Sequence, residues 1–317
     1  MTVKFENQTN IKDFVLVGFP GLQQNYYGAV SALLLLTLIT IVAGNSFIAA
    51  FILYERTLHK PTYVIFFNLA MTDIVFAFAT LPKIIARYWW DDMMCSFGAC
   101  FTQMYFVHSM GSITSLILMT MAVDRFVAIW LPFRYPVSIT TRSIAIGCAL
   151  CWVGTFIRMV GVVFHALTLP YCNSNVIQQC YCDHIAITKL GCGPNVAYVK
   201  LIAVTIALIN LLVPLGFIII SYISIILSVL RVSANERRLK VLSTCAPQIL
   251  ITCLFYVPRC FVYLANNLGY RFSLDGQIVI TMLYSLLPCV VNPLIYCFKT
   301  KAIKQALVKR LKIHRAK

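Results

Sequence analysis

The sequence predicts an all-α membrane protein: a seven-transmembrane helix bundle with a short amphipathic C-terminal helix. Three observations carry that expectation. Mean hydropathy over the 317 residues is +0.84, and only 11% of residues are charged, where a soluble domain carries about 25%. Seven mostly apolar runs approach or exceed the ~20 residues a helix needs to cross a bilayer. Basic residues collect on alternate connections between those runs. The runs lie at 27–53, 62–86, 97–123, 143–167, 197–229, 240–265 and 275–297. Their connections are short, so 1–317 reads as one domain with an N-terminal segment 1–26, a bundle 27–297 and a tail 298–317.

Taken in order, the spans carry polar or proline residues that hydrocarbon penalises. Span one holds Gly44-Asn45. Span two holds Asp73, the one acid deep in the apolar runs; an ionised carboxylate there needs partners or water. By depth those partners are Asn45 and Asn292, with Thr114 a third. The group is either a polar staple between helices or a hydrated network that rearranges. Span three ends in Asp124-Arg125, an acid–arginine pair at the membrane edge. Span four carries Trp152 and Arg158, span five Pro214 and Tyr222, and span six Pro258-Arg259. Span seven holds Asn292-Pro293, whose proline removes a helix hydrogen bond and permits a hinge swinging Tyr296. Past it, Ile303, Leu307 and Leu311 repeat every four residues among lysines, the pattern of an interfacial helix.

Charge sets the expected orientation. Net charge is +16, yet its placement argues against nucleic acid. Arg56 and Lys60 lie between spans one and two, and Arg125, Arg134 and Arg142 follow span three. Arg231, Arg237, Arg238 and Lys240 lie between five and six, and eight basic residues fill the tail from Lys299 to Lys317. That bias puts the tail in the cytoplasm and the N-terminus outside, with anionic lipids attracted to the inner face. The first 26 residues lack the marks of a removable signal peptide, so span one serves as an uncleaved insertion signal. Asn7-Gln8-Thr9, the single glycosylation sequon, falls in the outside segment.

Five of 13 cysteines, Cys95, Cys172, Cys180, Cys182 and Cys192, lie at or near the outside, where disulfides persist. Cys95 starts span three, and a bridge from it to the long connection between spans four and five would pin a lid over the bundle. Metal ligation with His184 is the rival reading. The spacing matches no zinc pattern, so neither metal nor cofactor is expected.

The ordered set Gly44-Asn45, Leu69-Ala70-Met71-Thr72-Asp73, Asp124-Arg125-Phe126, Trp152, Pro258 and Asn292-Pro293-Leu294-Ile295-Tyr296 resembles rhodopsin-like G-protein-coupled receptors. A narrower resemblance is to vertebrate olfactory receptors. It rests on Leu58 to Tyr63, on Met121 to Pro136, on Lys240 to Cys245 and on Phe255-Tyr256. It also rests on Cys172, Cys182 and Cys192, spaced ten and ten. Departures include Thr62 for a usual methionine, Val123, Phe126 and Trp130 in the span-three signature, and Pro247-Gln248 for Ser-His. They look like the branch found in aquatic vertebrates. Thr114 stands where many relatives carry glutamate, which leaves Asp73 as the lone acid for a sodium ion.

The resemblance implies disulfides Cys95–Cys182 and Cys172–Cys192, with Cys180 left over. It implies that Asp124 holds Arg125 at rest, and that released Arg125 meets a heterotrimeric G protein, stimulatory and cyclic-AMP raising, in olfactory neurons. Asn45, Asp73, Tyr222, Asn292, Pro293 and Tyr296 form the rest of the switch.

Counting from the motifs also narrows the ligand. Val107 stands where amine receptors carry aspartate, and Leu286 where opsins carry the retinal lysine. His108, 17 residues before Arg125, matches a pocket histidine of acid-sensing relatives, and His184 matches a lid histidine. Arg259 wants a carboxylate. The expected ligand is a small, water-soluble, anionic odorant on His108, Arg259 and His184, with Ser112, Tyr256, Tyr263 and Asn267 as further walls. The plain alternative has His108 bonded to neighbouring backbone and Arg259 turned to solvent. Rival functions are a receptor for a non-odorant metabolite or peptide and, remotely, a transporter or channel. Transporters and channels would show paired repeats or a charged pore. No nucleophile–base set suggests an enzyme.

Overall fold

The computed structural model describes residues 11–315 apart from 173, 231–234, 269 and 271; within helices, the side chains of 235–242, 263, 266–267 and 311–315 lie outside that description. Among the described residues ten α-helices follow in chain order: α1 (Tyr27–Tyr54), α2 (Pro61–Trp89), α3 (Phe97–Trp130), α4 (Tyr135–Ser138), α5 (Thr141–Leu167), α6 (His184–Thr188), α7 (Val196–Leu230), α8 (Asn235–Asn267), α9 (Leu274–Lys299) and α10 (Lys301–Arg315). Seven of them, α1, α2, α3, α5, α7, α8 and α9, are long and apolar enough to cross a membrane. They coincide with the seven predicted runs.

Local chemistry sets the helix starts. Pro61 sits in the first turn of α2, where its missing N–H costs nothing. The Ser96 hydroxyl caps α3 by accepting from Ala99 N at 3.4 Å. Thr140 and Ser143 form a reciprocal cap on α5, and Ser273 caps α9. Helix α3 runs seven residues beyond the predicted end of its span. Phe126 and Ile129 extend its apolar face and pack with Ile225, Val229 and Cys245 from α7 and α8. Asp124 and Arg125 therefore sit inside a helix rather than at its end. Leu33, Leu36, Phe217 and Leu283 stay exposed, forming the apolar outer surface that lipid requires.

A continuous apolar core links α1, α2, α3, α7, α8 and α9. At Gly44 an added Cβ would stand 3.2 Å from Pro293, so the missing side chain lets α1 and α9 approach. Trp152 Nε1 donates to Asn68 Oδ1 at 3.0 Å, tying α5 to α2.

The end carrying α6, here the lid end, holds an element that sequence reasoning missed. Three short strands, β1 (Asp13–Leu16), β2 (Met94–Ser96) and β3 (Val176–Ile177), form a sheet in the order β2-β1-β3. The central β1 runs antiparallel to β2 and parallel to β3. Residues from Ile11 onward are thus built into the lid. Fully buried Phe14 stacks on Phe97 at 5.7 Å and joins a second core under the lid. Asn7 lies outside the described residues.

Candidate functional site: a lidded cavity and a polar switch

Two disulfides tie the lid down. Cys172–Cys192 closes the loop as expected. The second corrects the expected pairing: Cys182 bonds Cys100, not Cys95. With Ser96 as cap, Cys100 lies in the first turn of α3, while Cys95 sits on β2 as a buried free thiol. Cys180 is also free and buried. Gln103 reinforces the anchor, accepting from Cys182 N at 2.8 Å and donating to Ala79 O at 2.8 Å.

Beneath the lid is a cavity of about 1030 Å³, walled by α3, α5, α7, α8 and α9. His108, Ser112, His184 and Arg259 all line it. Tyr256 does not. Its hydroxyl lies 2.6 Å from Ser115 Oγ, where it joins α8 to α3 inside the protein. The side chains of Tyr263 and Asn267 lie outside the described residues.

Arg259 faces the cavity, not solvent. Its guanidinium carbon stands 3.8 Å from the Phe255 ring centroid and 4.9 Å from that of Tyr284. Nη1 donates to Phe255 O at 2.9 Å. Among the described residues no carboxylate pairs with it. Lys189 and Lys200 also line the cavity, so its charge is mainly positive.

His108 is differently placed, because its Nε2 has two neighbours. Asp183 Oδ1 lies at 3.4 Å and His184 N donates from 3.3 Å. One nitrogen cannot donate to the first and accept from the second together, so only one of the two contacts forms at a time. The backbone contact matches the plain alternative above; the acid was not foreseen, although Cys182-Asp183 stands in the motif. Burial pushes the His184 ring down to about 4, and nearby His108 adds to the shift. Its Nε2 is buried without a hydrogen-bond partner among the described residues. Burial pushes Asp183 up, but the His108 hydrogen bond and the charges of both histidines outweigh this and hold it below its ordinary value.

Below the cavity lie the polar residues expected to form a switch. Asn292 Nδ2 donates to Asp73 Oδ2 at 2.8 Å. Asn45 does not reach Asp73; its amide donates to Ile41 O at 2.9 Å and Cys289 O at 3.0 Å. Thr114 donates instead to Thr72, at 3.3 Å. A sodium ion at Asp73 would therefore find the Asn292 amide already on that carboxylate and the Thr114 hydroxyl turned elsewhere. Tyr296 is fully buried and stacks on Phe66 at 4.5 Å.

At the far end, Asp124 lies 3.3 Å from Arg125 Nη2. Sequence reasoning missed two residues here. Thr62 donates to Asp124 Oδ2 at 3.1 Å and accepts from Arg125 Nη2 at 2.7 Å. Tyr135 donates to Asp124 Oδ1 at 2.8 Å. Tyr222 packs nearby with Phe126, Ile129 and Cys245. Arg231 lies outside the described residues, as do the side chains of Arg237, Arg238 and Lys240.

Comparison with known proteins gives a consistent picture. Residues 33–314 match the family model described as olfactory receptor. Human olfactory receptor 52Z1P is 37% identical over 293 residues, 92% of this chain and 97% of that protein. Human olfactory receptor 52B2 is 34% identical over 300 residues, 94% and 91% of the two chains. Squid rhodopsin superposes with a TM-score of 0.71 over 92% of this chain and 87% of its own, at 17% identity; that likeness concerns the fold.

Proposed function

The chain belongs to the olfactory receptor family, and from that premise we propose that its lidded cavity binds a small, water-soluble odorant bearing an anionic group. The protein is a membrane-spanning receptor acting through a G protein, not an enzyme. One observation carries the ligand proposal: Arg259 is held on an aromatic shelf inside the cavity with no carboxylate paired to it among the described residues. A buried guanidinium favours a carboxylate or similar oxyanion. The His184 ring is a second contact. His108 acts mainly on the lid, since Asp183 already stands beside it.

Binding shifts a resting-to-active equilibrium. The anion draws Arg259, and with it α8, toward the lid. The Asp73–Asn292 bond and the Pro293 hinge relay that change to Tyr296. Parting of α7 and α8 then releases Arg125 from Asp124 and Thr62 toward the G protein, here a stimulatory one that raises cyclic AMP. The lid end faces outside and the basic tail faces the cytoplasm at the plasma membrane, with α10 lying on lipid. The alternate basic connections and the disulfides at the lid end support that orientation. The unit is one receptor domain.

A cyclic-AMP reporter screen tests the proposal, with acids, amines and neutral volatiles applied to cells expressing the receptor. Arg259→Gln should abolish responses to acids while leaving surface expression intact, and Arg125→Ala should abolish all responses. Responses to neutral ligands alone, or an acid response unmoved in the Arg259→Gln, His108→Ala double variant, would sink the anionic pocket.

A further inference from the structure

Three sulfurs under the lid lie outside the cavity lining. Cys100 and Cys182 form the lid disulfide, and the buried Cys95 thiol lies 4.0 Å from the Cys182 sulfur. All three sulfurs fall within 4.8 Å of one another. We propose that Cys95, Cys100 and Cys182 form a disulfide-exchange site, at which Cys182 alternates between two partners.

The exchange needs no oxidant or reductant. Cys95 loses its proton and the thiolate attacks Sγ of Cys182. The Cys95–Cys182 bond forms as the Cys100–Cys182 bond breaks, and Cys100 leaves as a thiolate that takes up a proton. One disulfide and one thiol stand on each side. Attack runs along the line of the breaking bond, and with all three sulfurs this close together Cys95 is not in line, so its sulfur must first swing to the side of Cys182 opposite Cys100. The Cys182 backbone stays in place meanwhile, because Gln103 holds its N–H at 2.8 Å.

The two forms anchor the lid differently. Cys100 belongs to the first turn of α3, a wall of the cavity, whereas Cys95 lies on β2, paired through Phe14 with the N-terminal strand. Exchange therefore moves the covalent tether from a cavity wall to the surface sheet. Burial raises the Cys95 thiol above its ordinary value, which makes exchange slow near neutral pH. Its rate rises about tenfold per pH unit until the thiol ionises.

The test uses the full-length receptor in detergent micelles, incubated without reductant at pH 6 and pH 8.5. Timed samples are acid-quenched, alkylated and mapped for disulfide peptides by mass spectrometry. A Cys95–Cys182 peptide with alkylated Cys100 should appear, and faster at pH 8.5. Cys95→Ser should remove it at both pH values, and Cys100→Ser should carry it from the start. Wild-type mapping decides by itself if Cys100→Ser does not reach the cell surface. Alkylated Cys95 beside an unchanged Cys100–Cys182 bridge at every time and pH would overturn the proposal. So would exchange of Cys182 with Cys180 instead.

Discussion

Asn45 Nδ2 donates to the carbonyl of Cys289 at 3.0 Å, and that carbonyl is the one Pro293, four residues on, leaves without a backbone donor. The asparagine of α1 thereby completes the broken ladder of α9. A second case exists: Ser115 Oγ donates to Asn210 O at 2.8 Å, the carbonyl that Pro214 in α7 leaves open. Both repairs come from neighbouring helices, so each proline bend is held by a contact that can be broken and remade.

From this follows a coupling. Asn45→Ala should destabilise the receptor by about 1–3 kcal/mol, the cost of an unpaired buried carbonyl. In a Pro293→Ala background the residue-293 N–H returns to Cys289 O, and the same substitution should cost markedly less. Thermal unfolding of the four proteins in micelles measures the interaction. Equal costs in both backgrounds would show that Asn45 does not serve the proline.

Thr62 is both donor to Asp124 and acceptor from Arg125, so it bridges that pair from a different helix, and on the proposed mechanism it steadies the resting state. Thr62→Val keeps the shape and deletes both bonds. Hydrogen bonds to charged groups are worth about 1.5–3 kcal/mol, so the equilibrium should move toward the active state by tenfold or more. Ligand-free cyclic-AMP signal per surface receptor should rise. An unchanged basal signal would mean that the Asp124–Arg125 contact suffices.

Much of this was legible before the fold was known, because hydropathy, proline and buried charge are local signals. The spans and the Asp124–Arg125 pair followed from hydropathy and charge along the chain, Arg259 from its place beside Pro258, and His108 and His184 from the resemblance to olfactory receptors. What failed depended on distant partners. Strands of two to four residues carry no periodicity of their own, since β1 exists through pairing with Met94–Ser96 and Val176–Ile177. The Cys95–Cys182 pairing came from the resemblance, with Cys95 taken as the start of span three. The Ser96 cap leaves Cys95 on β2 and puts Cys100 in the first turn of α3, about seven helical turns before Arg125. Tyr256 was misplaced because its neighbour, Ser115, comes from another helix.

The lid should weaken in acid, opposite to the usual histidine effect. His184 is pushed down to about 4 by burial, so folding favours its neutral form. That stability is fully present above the unfolded value near 6.5 and is lost as pH falls toward 4. Asp183, held low, also loses its contribution in acid, at still lower pH. Agonist dissociation should therefore quicken between pH 6.5 and 4.5, and His184→Phe should flatten that dependence. A receptor whose dissociation rate slows on acidification would show that a protonated His184 closes the lid instead.

Gln103 carries the last expectation. Its amide group joins three parts of the protein, donating to Ala79 O of α2 and accepting from Cys182 N of the lid while standing on α3. Gln103→Leu keeps the bulk but leaves a carbonyl and an N–H unpaired, each costing about 1–3 kcal/mol. The Cys100–Cys182 bond still tethers the lid, so the protein should fold and reach the surface with a lower Tm. Without the backbone bond the lid can pivot about that single tether, and agonist should dissociate several-fold faster with little change in association. Gln103→Glu should recover the bond to Cys182 N but not the bond to Ala79 O, and with it most of the dissociation rate. If Gln103→Glu releases agonist as fast as Gln103→Leu, then the α2 contact governs the lid.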